Sequence, residues 1–394
     1  MIKRILLSAL IALSLSGYLL SQTPANGFQF TTVKENKITP VKNQNRSGTC
    51  WSFSGVGFLE SELIRMGKPV LDLSEMFIVH NCYLGKAEKY VRLHGNLTFA
   101  GGGSFHDVLE TIREAGMVPE SEMKGLNYGE TMHVHGEMDE AAAAYVKSIV
   151  GNKNSKLSPA WKEGFRGIIE AYLGEAPEKF TFEGKEYTPQ SFAKFLDLNP
   201  DNYVSLTSYT HHPFYGTFAL EIPDNWRWGH SYNLPLDELM QVFDYAIEKG
   251  YTIAWGADVS EQGFKNSLAR VPAIDPVNLT GSDRARWEGL SEAQKEAEAK
   301  MKVENPNAEK VVTQEIRQEA FDNYQTTDDH GMQIYGIAKD QHGTKYYMVK
   351  NSWGESGPYK GLLYATETFV KYKTMNIVLH KDALPKEIQK KLGL

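Results

Sequence analysis

The chain has 394 residues, of which 41% are hydrophobic and 11% aromatic, enough apolar material for a globular core in two or three lobes and too much for a disordered chain. Its formal net charge is −7, with both signs scattered and no basic tract, which argues against nucleic acid as a partner. Two cysteines, Cys50 and Cys82, allow at most one internal bridge, so the fold must rest on its core and not on a disulfide framework.

At the N-terminus, Lys3 and Arg4 precede an apolar run over residues 5–20, the pattern of a secretory signal peptide. Residues 1–21 are assigned to it, with cleavage before Gln22 and a cut after Ala25 as the alternative. The run is shorter than a spanning helix, so no stable membrane insertion is expected after cleavage. The expected location is outside the cytoplasm, periplasmic or extracellular in a bacterium. Residues 22–45 read as irregular, with Pro40 breaking the run.

From Cys50 the pattern turns helical. Val56, Leu59, Leu63 and Met66 recur at helical spacing, and Gly67 is a stop. A second helix is predicted from Ser74 past Cys82, and a third from Ser104, with Asp107 as capping-box partner and Gly116 at the end. Residues 141–150 and 161–173 read as helices, and 180–187 as a hairpin. A helix over 236–249 stops at Gly250 and leads into a strand over 251–259. Residues 291–303 are charged, Ala-rich and helical. Residues 331–338 and 344–350, separated by a polar turn at 340–343, carry a β-hairpin pattern.

Cys50 stands where the first helix begins, and a helix N-terminus favours a thiolate. A free Cys is more commonly a small buried hydrophobe, so the helix argument alone leaves both readings open. The surroundings decide between them. Gln44 lies six residues before Cys50-Trp51-Ser52-Phe53; His330 opens the first strand of the C-terminal hairpin, and Asn351-Ser352-Trp353-Gly354 follows the second. This set, in this order, resembles the active-site motifs of papain-like cysteine peptidases, with Ser47 where papain has a disulfide-forming Cys. The resemblance implies an α+β, two-lobed papain-like fold, a helical lobe plus a β-barrel-like lobe.

His330 follows Cys50 by 280 residues, about twice the papain spacing of ~130–150. Together with Leu73-Ser74-Glu75-Met76-Phe77, Gly101-Gly102-Gly103-Ser104-Phe105-His106-Asp107, Gly116-Met117-Val118-Pro119 and His212-Pro213-Phe214-Tyr215-Gly216, this is similar to the bleomycin hydrolase and aminopeptidase C family, which carries a large helical insertion. The expected domains are one peptidase domain over 22–394, a helical insertion at about 120–240, and a strand-rich lobe at about 251–384 that bears His330 and Asn351.

The resemblance implies that Cys50 is the nucleophile, His330 its proton partner and Asn351 the group that orients the imidazole. Gln44 and the Cys50 N–H would form the oxyanion hole. It assigns Gly48, Gly102, Gly103, Asp329 and Trp353 to the substrate-binding cleft, with Gly102 and Gly103 meeting an extended peptide backbone and Trp353 shielding the His330–Asn351 bond. Peptides are the expected substrates, no cofactor is implied, and a homo-oligomer is possible by analogy. His133 and His135 with Glu137 and Asp139 fix no complete ligand set, so no metal is assigned. His211-His212 reads as structural, and Cys82 as a packed, inert thiol. Asn96-Leu97-Thr98 and Asn278-Leu279-Thr280 match the glycosylation pattern but are given no role. In the family a C-terminal arm enters the cleft and restricts it to aminopeptidase action. Here residues 384–394 resemble the helix before such an arm. Three outcomes follow: a shortened arm still reaches the cleft, the cleft is open to internal cutting, or a loop of the insertion restricts it. A catalytically silent peptide-binding protein is the reading from outside enzymes.

Overall fold

The computed structural model describes residues 27–394 apart from 154–155, 275, 277–278, 280 and 305–307, so the expected leader and Asn278 lie outside the described residues. A short strand, β1 (Thr31–Glu35), leads to α1 (Cys50–Arg65), α2 (Glu75–Arg92) and α3 (Phe105–Glu114). Then come α4 (Gly136–Val150), α5 (Ala160–Leu173), the hairpin β2 (Phe180–Phe182) and β3 (Lys185–Tyr187), and α6 (Pro189–Leu196). Three strands follow, β4 (Tyr203–Thr207), β5 (Thr217–Ala219) and β6 (His230–Asn233), then α7 (Leu236–Glu248), β7 (Ile253–Ala257), β8 (Phe264–Lys265) and β9 (Leu268–Ala269). The chain continues through α8 (Gly281–Glu288), α9 (Glu292–Glu304), α10 (Gln314–Asp322), β10 (His330–Lys339), β11 (Lys345–Lys350), β12 (Leu362–Thr366), α11 (Glu367–Lys373), β13 (Thr374–His380) and α12 (Lys386–Leu392).

Local chemistry explains the boundaries near the site. Ser74 caps α2 by accepting the Phe77 N–H at 2.9 Å. The Asp107 carboxylate reaches back to the Ser104 N–H at 2.7 Å, the reciprocal half of a capping box on α3. Gly116 ends that segment at φ +94°, a conformation costly for any residue with a β carbon. Helix α1 is buried over Trp51–Leu63, with small residues among the large ones. A β carbon on Gly55 would lie 2.8 Å from Val108 Cγ2, so the glycine lets α3 approach closely. A helix buried on every side belongs in the centre of the molecule, and α1 lies there, its buried Ser and Glu side chains held by hydrogen bonds such as Glu60 to the Leu73 N–H.

One large mixed sheet runs β5-β6-β4-β13-β7-β10-β11-β12-β9-β8, with β1 also paired to β10. Two corrections to the sequence reading follow. Residues 31–35 form a strand on the outer half of β10, where 22–45 was read as irregular. The stretch at 120–240 is helical only up to α6; β4 then joins the sheet antiparallel to β13 with all five residues buried. On β10, side chains alternate: Gln333 faces α1 and donates to Ser61 Oγ at 2.8 Å, while Met332 and Ile334 enter the core behind the sheet. That alternation aims the start of β10 at the start of α1.

Candidate active site

Where β10 meets α1, two glycines face each other across the sheet, Gly331 on β10 and Gly256 on β7. A β carbon on Gly331 would stand 2.7 Å from Ser54 Oγ and 3.3 Å from the Trp51 nitrogen, so only glycine lets the strand lie against the first turn of the helix. A β carbon on Gly256 would meet Asn376 Oδ1 at 2.7 Å. The space left by these missing side chains is a pocket lined by Cys50, Gly103, Asp224, Asp328 and His330, among others. Trp51 fixes the opposite wall: its Nε1 donates to Gly101 O at 3.1 Å.

His330 Nε2 lies 2.7 Å from Asn351 Oδ1, which also accepts the Ser352 N–H at 2.8 Å. That second bond identifies the Asn351 atom as oxygen, so His330 Nε2 carries a proton and Nδ1 is left free as the basic nitrogen. Trp353 stacks on the imidazole at 4.7 Å and 29° and covers this hydrogen bond. Gln44 is held at both ends: Oε1 accepts from Ser352 Oγ at 2.6 Å, and Nε2 donates to Ser47 O at 2.8 Å. One N–H of that amide is thereby used and its orientation set.

Burial pushes the Cys50 thiol up to about 12; the backbone N–H groups of Gly331 and Trp51 at the sulfur oppose this, while Asp328 and Asp224 reinforce it. Burial pulls His330 down to about 4, against the bond to Asn351. Each single charge is disfavoured in the closed pocket, so the low-cost ionisation is a transfer that creates both charges together. Burial, with the neighbouring Asp224, Asp329 and Asp258 charges, raises Asp328 to about 8.

The remaining expected residues divide. Gly103 lines the pocket. Gly102 does not line it; the Asp224 carboxylate covers the position a β carbon would take there, 2.2 Å from Oδ2. Gly48 packs its α carbon side on the Gly101 backbone. Asp329 lines the pocket and also accepts the Val259 N–H at 2.8 Å, tying β10 to the end of β7. His133 and His135 are buried neutral rings, each lowered to about 4 by burial. Their backbone pairs with Arg46 and steadies the loop that carries Gln44. Glu137 accepts from Tyr172 and Asp139 from Tyr83, so the four residues do not converge on a metal. Among the described residues the grouping with ligand-like spacing is instead His211, His212 and Glu221. Cys82 is buried and free. Helix α12 lies on α7, with Lys391 Nζ 2.7 Å from Glu238.

Sequence reasoning missed Asp224, Asp328, Ser352 and Asn376. Ser352 and Asp328 adjoin residues already singled out, and the doubled acid in Asp328-Asp329-His330 was a usable sign. Asp224 and Asn376 come from elements far away in sequence, and no local pattern marks them.

The model for "Papain family cysteine protease" matches residues 26–165, and the model for "Peptidase C1-like family" matches residues 290–393. Aminopeptidase G of Lactobacillus delbrueckii subsp. lactis is 22% identical over 90% of this chain and 83% of its own length. Aminopeptidase C of Listeria monocytogenes is 23% identical over 88% of this chain and 81% of its own. The crystal structure of PepW from Lactobacillus rhamnosis shares the fold, with a TM-score of 0.68 at 20% identity over 94% of this chain and 85% of that one. Family matches at both ends, relatives across most of the length and a shared fold agree with the pocket built on Cys50 and His330: the chain belongs to the papain-like cysteine peptidases.

Proposed function

We propose that the enzyme hydrolyses peptide bonds through a Cys50–His330–Asn351 triad and a thioester intermediate, acting as an aminopeptidase of the aminopeptidase C kind. The observation that carries this is the single pocket holding the Cys50 thiol and an imidazole whose far nitrogen is fixed by Asn351 at 2.7 Å. The thiol proton passes to His330, and the sulfur adds to the substrate carbonyl carbon. The resulting oxyanion takes hydrogen bonds from the Cys50 N–H, which has no partner inside its own helix, and from Gln44 Nε2. Collapse breaks the C–N bond; the amine leaves with the proton from His330, and a thioester remains. His330 then takes a proton from water, the hydroxide adds to the thioester, and the thiolate departs with the carboxylic acid released. Sulfur recovers its proton from the imidazolium.

Replacing Cys50 tests the reading. Cys50→Ser is expected to lose labelling by an epoxysuccinyl thiol reagent and to lower kcat by at least about 10³-fold, since a serine hydroxyl beside a neutral imidazole is a far weaker nucleophile. Labelling of the variant equal to that of the wild type would place the nucleophile elsewhere.

A further inference from the structure

The loop between β5 and β6 brings one carboxylate to the cleft and is fastened on both sides of it. On the near side, Glu221 takes His211 Nε2 at 3.0 Å and His212 Nε2 at 2.8 Å. On the far side, Asn225 Nδ2 donates to Leu220 O and Gly229 O, each at 3.0 Å, and its Oδ1 accepts the Gly229 N–H at 2.8 Å. Arg227 Nε then donates to Asp107 Oδ1 at 2.9 Å, anchoring the loop to the cap of α3. Asp224 hangs between these fixings. Its carboxylate stands over Gly102, with both oxygens within 2.4 Å of the place a β carbon would occupy.

If a substrate backbone follows the glycine run from Cys50, as the proposed function has it, its path leaves the pocket at Gly103 and crosses Gly102, where the carboxylate blocks it. The same carboxylate lines the pocket of Cys50 and His330, as Asp328 does, and no Lys or Arg lines that pocket. Neither Asp224 nor Asp328 takes a hydrogen bond from a described residue; the Lys86 ammonium, which donates to Gly102 O, acts on Asp224 through its charge and opposes the burial that raises it. Two carboxylates without a hydrogen-bonded partner, partly withdrawn from water and facing a blocked end of the cleft, are matched by one substrate feature: the α-ammonium of a free N-terminus.

We propose that Asp224, with Asp328 beside it, receives the substrate's N-terminal ammonium and stops the acyl side of the cleft, so that exopeptidase specificity resides in this loop. The proposal rests on the Cys50–His330 reading above. It makes Asp224 a specificity-determining residue that the bond-breaking steps do not use.

The test compares one peptide with a free and with an acetylated N-terminus, on the wild type, Asp224→Asn and Asp224→Ala, after titrating active thiols with the epoxysuccinyl reagent. The wild type is expected to cleave the free form at least about a hundredfold better, as kcat/KM. Asp224→Asn keeps the shape and loses the charge; kcat/KM for the free form should fall about thirtyfold or more, mostly through KM. Asp224→Ala should also open internal cleavage of the acetylated peptide. Thiol titration near one per chain shows that the variants are folded and armed. An unchanged free-to-acetylated ratio in both titrated variants overturns the proposal, and so does a wild type that cuts both forms alike. A loss confined to peptides with Lys or Arg side chains, acetylated or not, also overturns it, because the carboxylate would then read a side chain. Failure of the underlying reading is visible separately, as cleavage surviving in Cys50→Ser.

Discussion

At the sulfur of Cys50, opposing influences meet within one pocket. Burial and the Asp328 and Asp224 charges hold the proton on, pushing the thiol up to about 12, while two backbone N–H groups favour its loss. A nearby negative charge penalises a thiolate, so removing one must lower the thiol pKa. Asp328→Asn is therefore expected to shift the acid limb of iodoacetamide alkylation to lower pH and to speed alkylation several-fold above about pH 8, where the wild-type Asp328 carries its charge, with little difference at about pH 7. An unmoved limb, or one displaced upward, would show that Asp328 does not act on the sulfur through its charge. The same logic applies to His330, which burial pulls down to about 4 and whose Nε2 is held by Asn351, so that in the proposed mechanism it meets the thiol as a neutral base with Nδ1 unprotonated.

The elements that bring these residues together do so through close approach of backbone. Strand β10 lies against the first turn of α1 because residue 331 has no side chain, and a β carbon there would meet Ser54 Oγ at 2.7 Å. Gly331→Val should push the strand away and carry His330 with it. A misplacement near 1 Å is enough to slow thiol labelling by about a hundredfold, while far-ultraviolet circular dichroism stays that of the wild type. Labelling within twofold of normal would mean that this contact does not set the Cys50–His330 geometry. The helices around the site were legible because their signs are local: the apolar period of α1, Ser74 at the start of α2, Ser104 with Asp107 on α3, the stop at Gly250. The β10–β11 hairpin was legible for the same reason. Strand β1 was not, because it is a solvent-facing edge with exposed residues along it and no alternation to read. Strands β4 to β6 escaped because pairing partners distant in sequence define them, β13 for β4 in particular. Asp224 was illegible in the strongest sense, as its importance arises only once its loop is folded onto Gly102.

At the scale of the whole molecule, the two lobes are joined by a buried charge network behind the active site. Lys42 Nζ lies 2.7 Å from Glu75 Oε1, 2.5 Å from Asp72 Oδ1 and 3.8 Å from Glu60 Oε1. Glu60 accepts the Leu73 N–H at 2.9 Å and the Thr39 hydroxyl at 2.5 Å, and Thr39 accepts from Lys350 Nζ of β11 at 2.9 Å. Removing Glu60 leaves Thr39, the Leu73 N–H and the buried Lys350 ammonium short of a partner, while Lys42 keeps Glu75 and Asp72. Glu60→Ala should therefore cost roughly 3–5 kcal/mol of unfolding free energy, seen as a lower urea midpoint at an unchanged m-value. A loss below about 1 kcal/mol would place the network among screened surface pairs. The pocket in front of this junction has a further property. Gly256 and Gly331 leave part of its wall as bare backbone on two neighbouring central strands. Side-chain walls can turn to another rotamer and admit a larger guest, whereas hydrogen-bonded strands cannot. This part of the enzyme is a fixed gauge: the width offered to a substrate is the same on every turnover, and only a change in the gene, one methyl group at a time, can reset it.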